Sequence, residues 1–281
     1  MPELPEVEVL VRHLAPLLQK KIVHDVEVRR ARVIAPTSIR KLRTSLPGAE
    51  FIDLTRRGKF LLFTMRAPDK TEPLRLLGHL GMTGRMYLQP AKNGLPKHAA
   101  VVLNLGDEKF VFEDTRYFGR FTLDLRALGK LGPEPLGEEF STEYFAQGLS
   151  KSRQPIKVKL LDQSLVAGVG NIYASEALFR AGISPKISAR KIKFARVERL
   201  RRSIQEVLSE AIESGSTTPL DFSGAELRDQ LFYFGSSGAD HYEERLRVYD
   251  REGQSCIVCG NPIRRIVQAA RSTFYCRTCQ R

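Results

Sequence analysis

Long apolar runs are missing from this sequence, and cysteine is scarce. No stretch reaches the roughly 18 consecutive apolar residues of a membrane-spanning helix, and Glu3 and Glu6 stand where a signal peptide needs an apolar segment. The four cysteines all fall within residues 256–281, so they do not form a disulfide framework for the whole chain. No internal repeat or low-complexity tract is present. We expect a soluble, cytoplasmic protein that has no membrane partner.

Basic residues outnumber acidic ones. Lys and Arg total 45 against 32 Asp and Glu, which gives a formal net charge of +13, and both halves of the chain carry part of the excess. This charge favours a polyanion such as nucleic acid as the partner over a neutral metabolite. A basic protein with solvated lysines is the alternative, but arginine-rich stretches recur beside turns and glycines. A chain of 281 residues fits two domains, each with its own core.

The first ten residues, MPELPEVEVL, predict a docked N-terminus. Apolar residues recur at the spacing of one helix face, at Val7, Leu10, Val11, Leu14, Leu17 and Leu18. Pro5 suits the first helical turn, because its missing N–H is one that the helix could not use. The residues before this helix are therefore expected to lie against a packed element.

Removal of Met1 would expose the secondary amine of Pro2. An α-amino group has a pKa of about 7.7–8.0, so a useful fraction is an unprotonated nucleophile at neutral pH. Beside Glu3 and Glu6, such an amine can form a Schiff base with an aldehyde, for example an opened sugar. An ordinary capped helix start is the simpler interpretation of these ten residues taken alone.

The periodicity changes from strand to helix near residue 130. Short segments rich in β-branched or aromatic residues predict strands at 59–66, 100–105, 109–113 and 120–125. Helical spacing predicts helices at 142–149, 154–162, 171–181, 188–214 and 224–234. We therefore expect an α+β fold of two domains, an N-terminal β-sandwich with a packed N-terminal helix and a helical C-terminal half. We place the sandwich at 1–129, a Gly- and Pro-rich linker at 130–150, the helical domain at 151–245 and the cysteine-bearing segment at 246–281.

The four cysteines form two CxxC pairs, Cys256 with Cys259 and Cys276 with Cys279. This spacing presents four thiolates to one tetrahedral ion, and structural zinc is the natural occupant. Two redox-active CxxC pairs are the less favoured alternative. The residues between the pairs predict a β-hairpin, which carries the arginines Arg264, Arg265 and Arg271. A rigid hairpin with an arginine at its tip suits contact with phosphate.

A glycine-rich turn precedes the predicted helix at 171–181. Gly168 and Gly170 allow a phosphate to approach backbone N–H groups, and Asn171 is expected to cap the helix. A tight turn between helices explains the same pattern, and the sequence alone does not exclude it.

Two further turns carry large side chains, GHLGMTGRM with His79 and Met82, and DTRYFGRF with Arg116 and Phe118. An enzyme that extracts a base from a duplex has to fill the hole, and Met, Arg and Phe on loop tips suit that task. Taken singly, Met82 and Phe118 are more often core residues. Lys59, in RRGKF, is likewise more often a solvated lysine at a strand end than a phosphate ligand.

These blocks together resemble the bacterial formamidopyrimidine-DNA glycosylase family, the base-excision repair enzymes for oxidised purines. The resemblance covers nearly the whole chain, through PELPEVE, RRGKF, HLGMTGR, DTRYFGR, LLDQSLVAGVGNIYASEALFRAGISP and RSTFYCRTCQR. It implies a β-sandwich followed by a helix-two-turn-helix module and a zinc finger that holds one structural Zn2+. It further implies damaged double-stranded DNA as the partner, bound in the cleft between the halves by a monomer associated with the nucleoid.

The resemblance also implies roles for individual residues. Pro2 matches the Schiff-base nucleophile, Glu3 the acid/base carboxylate and Glu6 the glutamate that holds the opened sugar. Lys59 stands with this catalytic group, and the residues that match those gripping phosphates around the flipped nucleotide are Lys59, His79, Asn171 and Arg271. Met82, Arg116 and Phe118, which we call the hole-filling residues, match the trio that occupies the vacated space. The implied reaction is attack of the proline nitrogen at C1′ of the sugar, followed by β- and δ-elimination.

Two other functions stay open at this stage. A catalytically idle zinc-containing DNA-binding protein would share the charge and the cysteines, but it would not need a specified Pro2–Glu3 terminus. A glycosylase for oxidised pyrimidines, as in the sister endonuclease VIII branch, would share the lyase chemistry. Leu4 favours the purine branch, because the sister branch typically has glycine there. The loop that covers the lesion is expected at about residues 234–242.

Overall fold

The computed structural model describes residues 2–68, 70–216 and 246–281. These residues divide into two units. The first comprises Pro2 and Glu6–Gly129, and the second comprises Glu3–Pro5 with residues 130–216 and 246–281. No helix within the described ranges is long and apolar enough to cross a membrane. The helix predicted at 224–234 and the loop predicted at 234–242 lie outside the described residues.

The first unit is built from two four-stranded antiparallel sheets. One sheet has the strand order β1-β6-β7-β5 and the other the order β2-β3-β4-β8. The strands are β1 (Asp25–Val28), β2 (Glu50–Arg57), β3 (Phe60–Arg66), β4 (Leu74–His79), β5 (Gly84–Pro90), β6 (Ala99–Asn104), β7 (Glu108–Asp114) and β8 (Arg120–Thr122). Its helices are α1 (Leu4–Leu18, from Glu6 onwards), α2 (Ala31–Ile34) and α3 (Ile39–Ser45). The predicted strands are present, and the last of them ends at Thr122 rather than at residue 125.

Aromatic rings from both sheets form the core of the first unit. Phe63 of β3 lies 5.7 Å from Phe110 of β7, and Phe110 stacks on Phe121 of β8 at 5.8 Å between ring centroids. All three side chains are fully buried, and each such burial contributes roughly 1.5–3 kcal/mol. Contacts between rings of different sheets confirm the predicted sandwich.

Helix α1 has the apolar face that its sequence predicts. Val7, Leu10 and Leu14 are completely buried, one helical turn apart. Leu17, predicted on the same face, is instead 43% exposed. The buried apolar face of α1 is therefore narrower in the last turn, where Leu18 is buried and Leu17 is not.

The second unit contains helices and one two-stranded sheet. Its elements are α4 (Thr142–Ser150), α5 (Ile156–Leu160), α6 (Asn171–Arg180), α7 (Phe194–Ser216), β9 (Arg264–Gln268) and β10 (Arg271–Tyr275). One apolar cluster joins α4, α5, α6 and α7 and includes Leu4. The segment 130–150, predicted as a linker, contains α4, and Phe140 and Phe145 are buried in this cluster. That segment therefore contributes to the core of the second unit.

Helix boundaries in the second unit depend on local chemistry. Helix α6 is followed by Gly182, which has a positive φ of 63°, the conformation that commonly closes a helix. The helix predicted at 188–214 begins only at Phe194, after a 3₁₀ turn at Ala189–Lys191. Residues 186–193, which carry four basic side chains, therefore lie outside this helix.

The predicted hairpin between the cysteine pairs is present. Strands β9 and β10 pair antiparallel, with Arg271 opposite Gln268 beside the turn. Ala269 and Ala270 form this turn with φ values of 48° and 59°. Arg271 is exposed, so the hairpin presents an arginine next to its tip as predicted.

Candidate functional site

Glu3 and Leu4 hold the N-terminus within the second unit. The two carboxylate oxygens of Glu3 accept hydrogen bonds from the backbone N–H groups of Ile172, at 2.9 Å, and Tyr173, at 3.3 Å. These donors belong to the first turn of α6, whose N–H groups have no partner within the helix. The N–H of Leu4 donates to the carbonyl of Gly168 at 3.1 Å. Glu3 is buried, and its carboxylate is therefore held in one orientation.

The loop before α6 is shaped to receive Leu4. Gly168 has a φ of 85°, and a Cβ at this position would lie 2.6 Å from a methyl carbon of Leu4. The side-chain amide of Gln163 fixes this loop, because it accepts from the N–H of Gly168 and donates to the carbonyls of Leu161 and Val169. Gly168 is thus needed because Leu4 approaches it closely. The sequence had suggested a different reason for the glycine, the approach of a phosphate.

Asn171 does not cap α6 as expected. Gly170 occupies the N-cap position without a side-chain bond, and Asn171 is the first helical residue. Its Nδ2 donates to the carbonyl of Ser272 at 3.0 Å, and its Oδ1 accepts from Nζ of Lys157 at 2.7 Å. Asn171 therefore ties α6 to α5 and to strand β10.

Lys157 is a residue of this site that the sequence did not reveal. Its side chain is 1% exposed, and Nζ also donates to Oγ1 of Thr273 at 3.2 Å. The pKa of Lys157 is lowered to about 8, mainly by burial; the charge of Glu3 opposes this change and the charge of Arg271 adds to it. The electrostatic coupling places Lys157, Glu3 and Arg271 in one neighbourhood of the second unit.

Tyr249 was also missed by sequence reasoning. Burial raises the pKa of its phenol, the hydrogen bond with Asn171 opposes this change, and the charge of Glu3 adds to it. The backbone of Tyr249 is fixed by Glu176, whose carboxylate accepts from the N–H groups of Arg247, Val248 and Tyr249 at 2.8–2.9 Å. A buried glutamate on α6 thus sets the position of a tyrosine beside Asn171.

Three predicted catalytic residues fall in the first unit. Pro2 is partly exposed, and Glu6 is buried in the first turns of α1. Lys59 occupies the two-residue turn between β2 and β3, after Gly58 with its φ of 56°. Its side chain is only 8% exposed, so the interpretation of Lys59 as a solvated lysine at a strand end is wrong.

His79 ends β4 directly opposite Phe60, with 4.8 Å between the ring centroids. The pKa of His79 is lowered to about 4, mainly by burial; the charges of Lys59 and Arg120 act in the same direction, and the charge of Asp114 opposes them. Nδ1 accepts from the N–H of Gly81 at 3.1 Å, which leaves the proton of the neutral ring on Nε2. His79 is therefore a neutral hydrogen-bond donor at pH 7.

The hole-filling residues lie on two turns of the first unit. Met82 and Phe118 are each 43% exposed, and Arg116 is exposed. The core interpretation of Met82 and Phe118 is therefore wrong. Two guanidinium groups lie over the ring of Phe118: the central carbon of the Arg116 group is 4.9 Å from the ring centroid, and that of the Arg32 group is 5.6 Å away. Such contacts stabilise an exposed ring by about 0.5–1 kcal/mol each.

The four cysteines fit a zinc ion. Their Sγ atoms all lie within 4.8 Å of one another, with 3.8 Å between those of Cys256 and Cys279 and 3.5 Å between those of Cys259 and Cys276. Tetrahedral Zn–S bonds of about 2.3 Å require sulfur atoms about 3.8 Å apart. All four positions are filled by protein, so the ion is structural. Cys256 and Cys276 are themselves buried in one apolar cluster with Val248, Ile263 and Phe274.

Replacement of Cys276 by serine is expected to remove zinc and DNA affinity together. The ion is expected to organise strand β10, which carries Arg271, Ser272 and Thr273, so its loss should unfold the hairpin. Metal analysis should find one zinc per wild-type chain and less than one per variant chain. A Cys276→Ser protein that lacks zinc but binds damaged duplex normally would contradict this coupling.

A sandwich unit, a helical unit with a zinc hairpin and a buried carboxylate anchored next to Pro2 together define the class of zinc-finger DNA glycosylases. Family models agree with this class. They match residues 1–121 as the formamidopyrimidine-DNA glycosylase N-terminal domain, residues 131–222 as its H2TH domain and residues 253–281 as the zinc finger found in FPG and IleRS. The chain belongs to the formamidopyrimidine-DNA glycosylase family. It is a base-excision repair glycosylase with AP lyase activity.

Individual relatives are similar over their full length. Formamidopyrimidine-DNA glycosylase of Carboxydothermus hydrogenoformans is 37% identical over 281 residues and covers 100% of both chains, and that of Thermus thermophilus is 39% identical over 287, covering 100% of this chain and 98% of the relative. Among solved structures, Lactococcus lactis Fpg (MutM) in complex with N7-benzyl-Fapy-dG DNA has a TM-score of 0.86 at 32% identity. MutM in complex with carbocyclic 8-oxo-G DNA has the same values, and each match covers 99% of both chains.

Proposed function

We propose that this enzyme removes oxidised purines from duplex DNA through a Schiff base at Pro2 and then cleaves the strand. One observation carries the proposal. Both oxygens of Glu3 are bonded to the start of α6, and the N–H of Leu4 is bonded to Gly168 in the loop before it, which fixes the chain immediately after Pro2. A terminal amine has no structural need for such fixation, whereas a nucleophile does, because misplacement by about 1 Å can cost a hundredfold in rate.

The proposed reaction begins at the nitrogen of Pro2. Its lone pair attacks C1′ of the sugar, and the bond between C1′ and the base breaks with its electron pair going to the base. The base takes up a proton, the sugar opens, and C1′ and the proline nitrogen form a Schiff base. Loss of a C2′ proton then expels the 3′ phosphate, and a second elimination expels the 5′ phosphate. Glu3 is the proposed acid and base for these protons, and Glu6 holds the opened sugar.

Both units offer groups for the phosphates that flank the flipped nucleotide. We propose Lys59 and His79 from the first unit and Asn171 and Arg271 from the second. Lys59 and Arg271 contribute charge, while His79 contributes only its Nε2–H, because its pKa of about 4 leaves it neutral. The amide of Asn171 is already bonded to Ser272 and Lys157, so it also orders the groups around it.

Replacement of Arg271 by alanine is expected to weaken binding to damaged and undamaged duplexes alike. It should reduce the slope of log affinity against log salt by about one unit, because one cation stops displacing counterions. His79→Gln is the matched comparison. It should weaken binding but leave the slope unchanged between pH 6 and 8, since a ring with a pKa of about 4 carries no charge there. An unchanged slope in Arg271→Ala would remove this arginine from the phosphate contacts.

Borohydride trapping on defined duplexes is expected to reveal the substrate. Duplexes carrying 8-oxoguanine or an abasic site should give a covalent adduct, and one carrying an oxidised pyrimidine should react more slowly. This preference is supported by relatives whose complexes contain Fapy-dG or 8-oxo-G DNA. Faster trapping on the pyrimidine lesion would assign the enzyme to the pyrimidine branch. If no duplex gives an adduct, the result would instead support the alternative of a DNA-binding protein without catalytic activity.

Because its substrate is duplex DNA, the enzyme has to work in the compartment that contains the chromosome. In a bacterium this is the cytoplasm, where we propose association with the nucleoid. The proposed nucleophile, carboxylates, phosphate contacts and zinc ligands are all residues of one chain, so we further propose that a monomer is active.

A further inference from the structure

We infer that Asp114 is the positioning residue that makes Met82, Arg116 and Phe118 act as one unit when a base is expelled. This inference rests on the proposed function and on the role that the family resemblance implies for these three side chains, which is to fill the hole in the duplex. None of the three is packed in the core, so something else has to hold them in place. Asp114 bonds to both of the turns that carry them.

The carboxylate of Asp114 is completely buried and has three hydrogen-bond donors. Oδ1 accepts from Oγ1 of Thr83 at 2.7 Å and from the backbone N–H of Arg116 at 3.1 Å. Oδ2 accepts from the backbone N–H of Gly119 at 2.8 Å. Hydrogen bonds to an ionised carboxylate are about twice as strong as those between neutral groups, so the side chain of Asp114 holds its three donors firmly.

The three donors come from two turns that are far apart in sequence. Thr83 follows Met82 in the turn between β4 and β5. The N–H groups of Arg116 and Gly119 bracket Phe118 in the segment between β7 and β8. A single carboxylate thus bonds directly beside every hole-filling residue.

The backbones of the two turns also touch. Gly81 has a φ of 64°, and a Cβ there would lie 2.6 Å from the backbone nitrogen of Gly119. A Cβ on Gly119 would in turn lie 2.6 Å from the carbonyl oxygen of His79. These glycines let the turns approach closely, and Asp114 supplies the hydrogen bonds that lock them in register.

The three donors around residue 114 require a carboxylate there rather than an amide. Asparagine at 114 could keep its single oxygen toward Thr83 and Arg116, but its NH₂ group would then face the N–H of Gly119. Two donors would meet, and the segment that carries Phe118 would lose its anchor. In this variant the three hole-filling residues are expected to be misaligned, while the chemistry at Pro2 should change little.

Single-turnover rates on two duplexes test this inference. Asp114→Asn should slow excision from an intact 8-oxoguanine pair by about tenfold to hundredfold but should barely change cleavage at a preformed abasic site, where no base is expelled. Thr83→Val, which deletes one donor on an exposed side chain, should give a smaller loss of the same kind. Thr83→Ser keeps the hydroxyl and should behave as the wild type.

A double-mutant comparison separates positioning from independent roles. Met82→Ala should slow excision in the wild type but add little in the Asp114→Asn background, because the trio is already misaligned there. Additive losses, or an equal loss on both duplexes for Asp114→Asn, would overturn the inference. Should Asp114→Asn fail to fold, the pair Thr83→Val and Thr83→Ser decides, and equal excision rates in that pair would overturn it.

Failure of the underlying function has a different signature. If Met82→Ala and Phe118→Ala alone slow both duplexes equally, the hole-filling role itself is wrong, whatever Asp114 does. If those two variants are selective for the intact pair while Asp114→Asn is not, only the positioning role of Asp114 falls.

Discussion

A single residue added in front of Pro2 is expected to abolish borohydride trapping on an abasic duplex and to leave duplex affinity largely intact. The addition converts the secondary amine of Pro2 into an amide, whose nitrogen has no available lone pair, so no Schiff base can form. The phosphate contacts proposed for Lys59 and Arg271 are unaffected by this change. Loss of chemistry with retained binding is the signature of a nucleophile.

Processing of the terminus provides the control for this result. Intact-mass analysis should show that active protein begins at Pro2, and active protein that retains Met1 would show the proposed nucleophile to be wrong. Pro2→Gly keeps an amine, although a primary one, and should retain part of the trapping. Full trapping by the extended protein would also reject Pro2.

Substitution of Gly168 by alanine is expected to impair base excision and strand cleavage together, by about a hundredfold. Its new Cβ would lie 2.6–3.0 Å from three carbons of Leu4, which are buried and cannot move aside. Leu4 would have to shift, and Glu3 and Pro2 would shift with it. Single-turnover rates on 8-oxoguanine and abasic duplexes would measure both losses.

A second glycine separates displacement of Leu4 from backbone strain. Gly182 also has a positive φ, 63°, but its nearest neighbour to a new Cβ is 3.5 Å away. Gly182→Ala should therefore lower stability by about 1 kcal/mol, as Gly168→Ala also does through strain, without a matching loss of rate. Equal rate losses in both variants would attribute the effect to strain alone and would remove Leu4 from the argument.

Features with a local cause could be predicted from the sequence. The buried face of α1 follows from the spacing of Val7, Leu10 and Leu14, and the zinc site follows from two CxxC pairs. The place of Met82 and Phe118 on turns between strands also followed from the sequence, although each residue taken singly is more often a core residue. In each case the relevant residues are close in sequence or carry a distinctive spacing.

Features that depend on distant partners could not be predicted. Lys157 and Lys159 stand two residues apart on α5 and look alike in sequence, yet Lys157 is buried against Asn171 and Thr273 while Lys159 pairs with Asp162 near the surface. Glu176 was likewise indistinguishable from a surface glutamate until residues 247–249 were placed against it. Asparagine is a residue type that commonly caps helices, but the side chain of Asn171 bonds to the hairpin and to α5 instead of capping α6.

The hydrogen bonds of Glu3 set an order of events during synthesis. Their donors, Ile172 and Tyr173, lie 169 and 170 residues further along the chain. At about 5–20 residues per second, a ribosome needs roughly 8–34 s to make that length of chain. Throughout this interval the nascent terminus cannot reach its final position and remains open to the enzyme that removes the initiator methionine. The distance in sequence between Glu3 and α6 therefore gives the proposed removal of Met1 time to occur before Glu3 is fixed against α6.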